Sequence, residues 1–345
     1  MKKQTLLAVS MMALLLSAAS PFTSMPAPAY AAQQASPAEE QMKTLAQLDQ
    51  KVVEEARQAM QKLAGNVKIE LQEITGANNE CWVISAKDHR GEVLVTKKEG
   101  KVVSANVTFQ PGEVPAQLMQ TATSTLQSMD SKRAVAFDIV QRNSWEKENS
   151  WIFVGRDGKS VTIDAATEKV KHAKLEYETI NVDPNVPEVD SKIADAAKKA
   201  LKTLSNGSAS ELSPRATLYK SPEMHRDQVW GFMDKEANYR IEIGAKTGKV
   251  VAVSNTKEIG GGNFVLPEDV PTVFAKPFYT KEKAIAAANP MLKKMFHLDL
   301  TGYTVTTKYN EYTFAKKGKP TVTALINKKG VFYDYTVAPE NGLIN

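Results

Sequence analysis

Residues 229–255, VWGFMDKEANYRIEIGAKTGKVVAVSN, decide how the rest of the chain is read. An aromatic-led apolar run is followed by a short turn, and residues 239–243 then alternate apolar with polar side chains. Thr247-Gly248-Lys249 forms a second turn into the apolar residues 250–253. Alternation places every second side chain on one side of a strand, and a glycine-centred turn reverses the chain, so the stretch reads as a β-hairpin. The same order of elements recurs elsewhere, which makes this hairpin one unit of a repeat.

Four rounds are legible. In the first, residues 45–110, Leu45, Leu48, Val52, Ala56, Met60 and Leu63 recur at the three- and four-residue steps of one helix face, and Gly65-Asn66 ends the helix. Strand-like runs follow at 67–71, 81–85, 92–97 and 102–109. The second round, 111–180, has helix positions Val114, Leu118, Ala122, Leu126 and Met129, then runs at 134–140, 150–154, 160–163 and 170–177. The third, 189–258, opens with Val189, Ile193, Ala197, Ala200, Leu201 and Leu204 and contains the quoted hairpin. The fourth, 280–345, has Thr280 as a candidate N-cap and Ile285, Ala288, Leu292 and Met295 on one helix face. Pro290 is expected to kink or break that helix, because it removes a backbone donor and crowds the preceding turn. Runs at 303–308, 313–315, 321–326 and 331–337 complete the round. Trp82, Trp151, Trp230 and Phe314 occupy corresponding places, as do the turns at 99–101, 167–169, 247–249 and 328–330. Proline-dotted segments at 181–188 and 259–279 read as linkers. The expected fold class is α+β: four tandem repeats, each a helix packed on its own antiparallel sheet.

The N-terminus carries Lys2 and Lys3, an apolar run over 6–19 and a small-residue site at Ala29-Tyr30-Ala31. These are the parts of a secretory signal peptide, and about 14 apolar residues fall short of the ~20 that span a bilayer. Residues 1–31 are therefore expected to be a signal peptide and 32–44 a flexible leader. The product is expected to be secreted or cell-wall associated, with no membrane span after cleavage. The 44 basic and 39 acidic residues give a formal charge of +5, and loss of Lys2 and Lys3 leaves +3. The charges are interspersed, which describes a solvated surface, and no basic stripe with stacking aromatics points to nucleic acid. A mild attraction to anionic cell-wall polymer is compatible with this balance.

No catalytic constellation emerges. Cys81 is the single cysteine and sits in an apolar run beside Trp82, the setting of a buried structural thiol. His89, His172, His225 and His297 are isolated from one another, with no H-E-x-x-H and no Cys/His cluster for zinc. Gly260-Gly261-Gly262 lacks the Gly-Lys-Ser/Thr of a phosphate loop, and no G-x-S-x-G elbow occurs. Glu39-Glu40 and Glu54-Glu55 fall in the leader and on a helix surface. Trp151 aligns with the other repeat tryptophans as a core residue. Trp145, in NSWEKENSW, has no counterpart and reads as lying in a polar connection, where an exposed aromatic can anchor a partner, so it is the candidate binding residue. No catalytic, cofactor or metal residue is expected.

YRIEIGAKTGKV (239–250) and VTIDAATEKV (161–170) resemble PepSY-type modules, and in particular the repeated domain of the YcdB/YcdC type in exported proteins of Gram-positive bacteria. Gly244 stands where that pattern usually has Asp, and Glu168 where it usually has Gly. The resemblance implies a helix-on-antiparallel-sheet fold, an extracytoplasmic address, no catalytic role and no cofactor. PepSY modules also occur in metallopeptidase propeptides, which implies a protein partner, foremost a secreted peptidase that the chain modulates or inhibits. The alternative is a cell-envelope module that binds wall polymer or surface proteins. Salt separates the two, since binding carried by a mild basic excess fades as ionic strength rises.

Overall fold

The computed structural model describes residues 44–77, 80–145, 148–178, 189–208, 211–260, 262–263, 265–266 and 269–344. The expected signal peptide, the leader up to residue 43 and the 181–188 linker lie outside the described residues. The chain divides into two compact units between Ala173 and Lys174.

In the N-terminal unit, helix α1 (Gln50–Ala64) begins where the Asp49 side chain accepts a hydrogen bond from the Lys51 amide. That carboxylate satisfies one of the amides a helix start leaves unpaired. Val52, Ala56, Met60 and Leu63 form its buried face, packed on β3 (Gly91–Thr96) and β4 (Val102–Phe109). Strands β1 (Leu71–Ala77) and β2 (Cys81–Ala86) precede them. Helix α2 (Ala116–Met129) buries Leu118, Ala122, Leu126 and Met129 and packs on β7 (Ser160–Asp164). With it come β5 (Ile139–Trp145), β6 (Glu148–Val154) and β8 (Val170–Glu178), whose residues from Lys174 onward belong to the second unit.

In the C-terminal unit, helix α3 (Ser191–Leu204) buries Ile193, Ala197, Ala200, Leu201 and Leu204 against β9 (Leu212–Ser221), β10 (Arg226–Asp234), β11 (Tyr239–Gly244) and β12 (Val250–Asn255). Helix α4 (Lys281–Phe296) follows, capped by Thr280, with β13 (Thr304–Lys308), β14 (Glu311–Ala315), β15 (Thr321–Ile326) and β16 (Phe332–Ala338). Pro290 lies inside α4 without ending it. Its ring and Ala286, whose carbonyl loses its partner, are both exposed, so water can satisfy that carbonyl.

The expected tandem repeats, each closing its own sheet, are overturned. The strands form one 16-stranded sheet in the order β1-β2-β3-β4-β5-β6-β7-β8-β9-β10-β11-β12-β16-β15-β14-β13. A separate four-stranded sheet would leave rows of backbone N–H and C=O groups unpaired on both sides. Here those rows pair with the next round. β4 meets β5 from Ser104–Trp145 to Phe109–Val140, and β12 meets β16 through Ala252–Thr336, Val253–Tyr335 and Ser254–Asp334. Apolar periodicity reports which face of a strand is covered and carries no information about what lies at its edge. The same limit explains two shifted strands. The runs expected at 67–71 and 134–140 are strand only at their ends, and pairing instead selects the more polar Leu71–Ala77 and Ile139–Trp145.

Three tight turns share one backbone solution. Gly100, Glu168 and Gly248 each donate their amide to the carbonyl four residues earlier, at 2.9, 2.8 and 2.8 Å. Each stands in the left-handed region, with φ of 64°, 55° and 64°. Glycine adopts this backbone without penalty, whereas an L side chain there costs ~1–2 kcal/mol. The second turn offsets the cost with Asp164, whose carboxylate accepts from the Ala166 and Thr167 amides and the Thr167 hydroxyl. Glu168→Gly is expected to stabilise the protein by about 0.5 kcal/mol, the left-handed penalty less the ~0.4–1 kcal/mol of added freedom in the unfolded chain. Gly248→Ala, the same balance with the sign reversed, is expected to destabilise it by about 0.5 kcal/mol. Urea unfolding of the two variants beside the parent protein checks both signs.

Candidate functional site

The residues with chemical potential are dispersed. His89 and His225 sit in turns with left-handed backbones, His297 ends α4 in the same conformation, and His172 lies half-buried in β8. Among the described residues no group of three or more His, Cys, Asp or Glu side chains could hold a metal ion. Glu54 pairs with Arg57 on the solvent face of α1, while Glu39 and Glu40 lie outside the described residues. Cys81 is fully buried in β2, and burial, with Glu80 adding to it, pushes its thiol up to about 11. The thiol form dominates at neutral pH, so the sulfur is a poor nucleophile.

Trp145 is not in a polar connection. It is the last residue of β5, half-buried, and paired with Ser104 of β4 and Glu148 of β6. Val140 and Arg142 of the same strand share the face of α1, where Arg142 donates to the Leu63 carbonyl, so alternation puts Trp145 and Asn143 on the opposite face. Its indole Nε1, the Asn143 Oδ1 and the Ser104 Oγ are buried without a hydrogen-bond partner among the described residues. Trp151, by contrast, is buried beside Phe109, 4.9 Å between ring centroids, with Arg142 over its ring.

The densest set of charges was not marked by any motif. On the face of β11 away from Ile241 and Ile243, the buried Glu242 accepts from Arg226 Nε at 3.2 Å and pairs with Arg240 at 2.8 Å. Arg240, Ser254 and Asp334 stand side by side across β11, β12 and β16. Burial pushes the Asp334 carboxyl up to about 6; Glu242 adds to the rise, and Ser254 and the two arginines oppose it. Burial likewise raises the Tyr219 phenol. The C-terminal segment covers one side of this face. Ile344 exchanges backbone hydrogen bonds with His225 and Asp227, 2.8 Å each, and packs with Tyr219, Val229 and Val251. The only advance sign was Arg240-x-Glu242 on the polar face of a strand; Glu242 is buried while Arg240 stays exposed, and alternation alone does not distinguish the two.

The two ends of the strand order differ. β1 carries two register shifts against β2, and Thr44 bridges Glu73 on its outer side. β13 pairs with β14 in unbroken register from Thr304–Ala315 to Lys308–Glu311, and four of its five residues are exposed. Bulges and covering segments are how proteins blunt a sheet edge, and among the described residues β13 has neither. Hydrogen bonds alternate along such a pair. Counted from the Lys308–Glu311 pair that closes the two-residue turn, the Thr307 amide falls on the outer rim. A separate cleft of about 800 Å³ lies between α3 and α4, and none of Arg226, Glu242 or Asp334 lines it. Among the described residues no helix is long and apolar enough to cross a membrane. No protein-family model matches the chain, and no curated protein matches it in sequence.

Two outcomes follow from the buried groups. Asp334 ionises near 3.8 when solvated and near 6 in the fold, so folding takes up a proton between those values and this group's contribution to stability falls as pH rises through them. Asp334→Asn should be more stable than the parent by on the order of 1 kcal/mol at pH 8, with the difference gone by pH 4, as read from urea unfolding at both pH values. Cys81 should resist maleimide at pH 7.5 in the native protein and react promptly in denaturant, which mass spectrometry reads directly.

Proposed function

We propose that this chain is a non-catalytic, exported binding protein that takes an extended segment of a partner protein onto the outer edge of β13. The observation that carries the reading is the contrast between the two sheet edges. β1 is bulged and bridged, whereas β13 offers a straight, exposed rim. An incoming strand there gains backbone hydrogen bonds, and alternate side chains set specificity. Lys308 is the one charged residue of β13, and Lys316, Lys317 and Lys319 lie in the connection between β14 and β15, so an acidic segment is the better match.

The export half of the proposal rests on the signal-like N-terminal sequence. The partner class, a secreted peptidase or its precursor, rests on the resemblance of residues 239–250 and 161–170 to PepSY modules. A binding role without catalysis is consistent with the dispersed histidines and the inert thiol.

Titration of residues 32–345 into a thermolysin-like secreted metallopeptidase should give saturable, sub-micromolar inhibition of peptide cleavage. Thr307→Pro removes a rim donor while leaving the β14 side of the ladder intact, and should weaken inhibition at least tenfold at unchanged circular dichroism. Full inhibition by the proline variant would sink the edge as the binding surface. Absence of inhibition, together with salt-sensitive retention on anionic wall polymer, would replace the peptidase with the envelope as partner.

A further inference from the structure

The cleft between α3 and α4 is built where two strands part. β12 and β16 are paired at Ala252–Thr336 and onward, but Val250 continues with Ile243 of β11 and Val337 with Val322 of β15. The opening holds about 800 Å³, within the size range of pockets that enclose small ligands. Its lining has two chemistries. Val251, Met295, Leu298, Val337, Leu343 and Ile344 supply an apolar floor, and Leu343 leaves 37% of its surface to solvent. Lys199, Lys249 and Lys294 stand exposed around it, with His297 beside them, and no Asp or Glu is among the lining residues.

The lysines are unusual in their setting. Close neighbours on the same elements are matched with carboxylates: Lys198 with Asp195, Lys246 with Asp227 and Lys293 with Asp299. The three that face the cleft form no salt bridge among the described residues. The C-terminal end of α4 adds partial negative charge here, which Lys293 and Lys294 in its last turn offset. Three ammonium groups around an apolar cavity favour a ligand with an anionic head and an apolar body. A peptide would bring an N–H and a C=O at every residue, each costly to bury unpaired, and the uncharged polar side chains lining the cleft are Thr203, Thr247 and Asn341. An acyl chain makes no such demand.

We propose that this cleft binds a single-chain fatty-acyl carboxylate, its tail on the Val251–Leu298–Leu343 floor and its head group among Lys199, Lys249 and Lys294. The site lies apart from β13, so it stands or falls independently of edge binding. Calorimetric titration of the full protein with octanoate, decanoate and dodecanoate should show the Kd falling roughly tenfold for each two methylenes added. Dodecanol, with the same tail and no charge, should bind at least tenfold more weakly than dodecanoate. The combined Lys199→Gln, Lys249→Gln and Lys294→Gln variant should lose that difference while still binding dodecanol. Leu343→Asp should weaken all the probes. Methyl resonances of Leu298, Leu343 and Ile344 in the unsubstituted protein should shift on titration, which keeps the test valid should a variant fail to fold. Equal binding of dodecanol and dodecanoate, absence of chain-length dependence, or shifts elsewhere would overturn the proposal. Dodecyl phosphate binding more than tenfold tighter than dodecanoate would overturn the carboxylate assignment, and an acidic peptide that binds where dodecanoate does not would overturn the ligand class.

Discussion

An antiparallel ladder is never finished at its edges, and the architecture of this protein follows from how each edge is met. Every strand satisfies its backbone through two neighbours, so a short sheet with exposed sides is a poor end point. The chain answers by running each round of strands into the next: β4 into β5 and β12 into β16. What remains, among the described residues, is one protected edge at β1 and one open edge at β13. The helices then have a single task, to cover apolar sheet surface, and each is amphipathic to match.

The covered face was plain in the sequence. Val114, Leu118, Ala122, Leu126 and Met129 recur with helical spacing and are all buried; so are Val189, Ile193, Ala197, Ala200, Leu201 and Leu204. Turn chemistry was equally plain, because the left-handed position in the turn after β11 is a glycine, Gly248. The joining of the strands was not. Nothing in the residues 332–338 announces that they will lie beside β12, since a strand's sequence encodes its faces and the ladder is made by backbone groups common to all residues. The independent modules inferred from repetition therefore gave way to one continuous sheet.

The candidate sites divide along the same line. Trp145 drew attention as an aromatic among polar residues, yet half-burial in β5 is what distinguishes it. The Arg226–Glu242–Arg240 set and Asp334 were missed because each looks like an ordinary polar position on a solvated strand. Only in the folded chain do they gather around the buried Arg226–Glu242 pair, with β16 bringing Asp334 alongside and the C-terminal segment pairing with residues 225–227. Lys199, Lys249 and Lys294 likewise belong to three elements, and only the folded chain reveals that they surround one cleft without a carboxylate.

The reversal of the last four strands has a consequence for how the chain is made. Strand order runs from β12 to β16 and only then back to β13, so the outer side of β12 waits for residues 334–336, about 80 positions later in sequence than β12 itself. A chain emerging from its N-terminus can fold α1 through β7 early, since those pairings are between neighbours in sequence. The β12–β16 seam must close over an interval holding α4 and the strands β13, β14 and β15, a long loop closure of the kind that slows folding. Until then β12 is itself an open edge and the Arg226–Glu242 pair lacks its cover. Residues 332–344 thus act as a latch, and the integrity of the second unit is a direct reading of whether they have joined it.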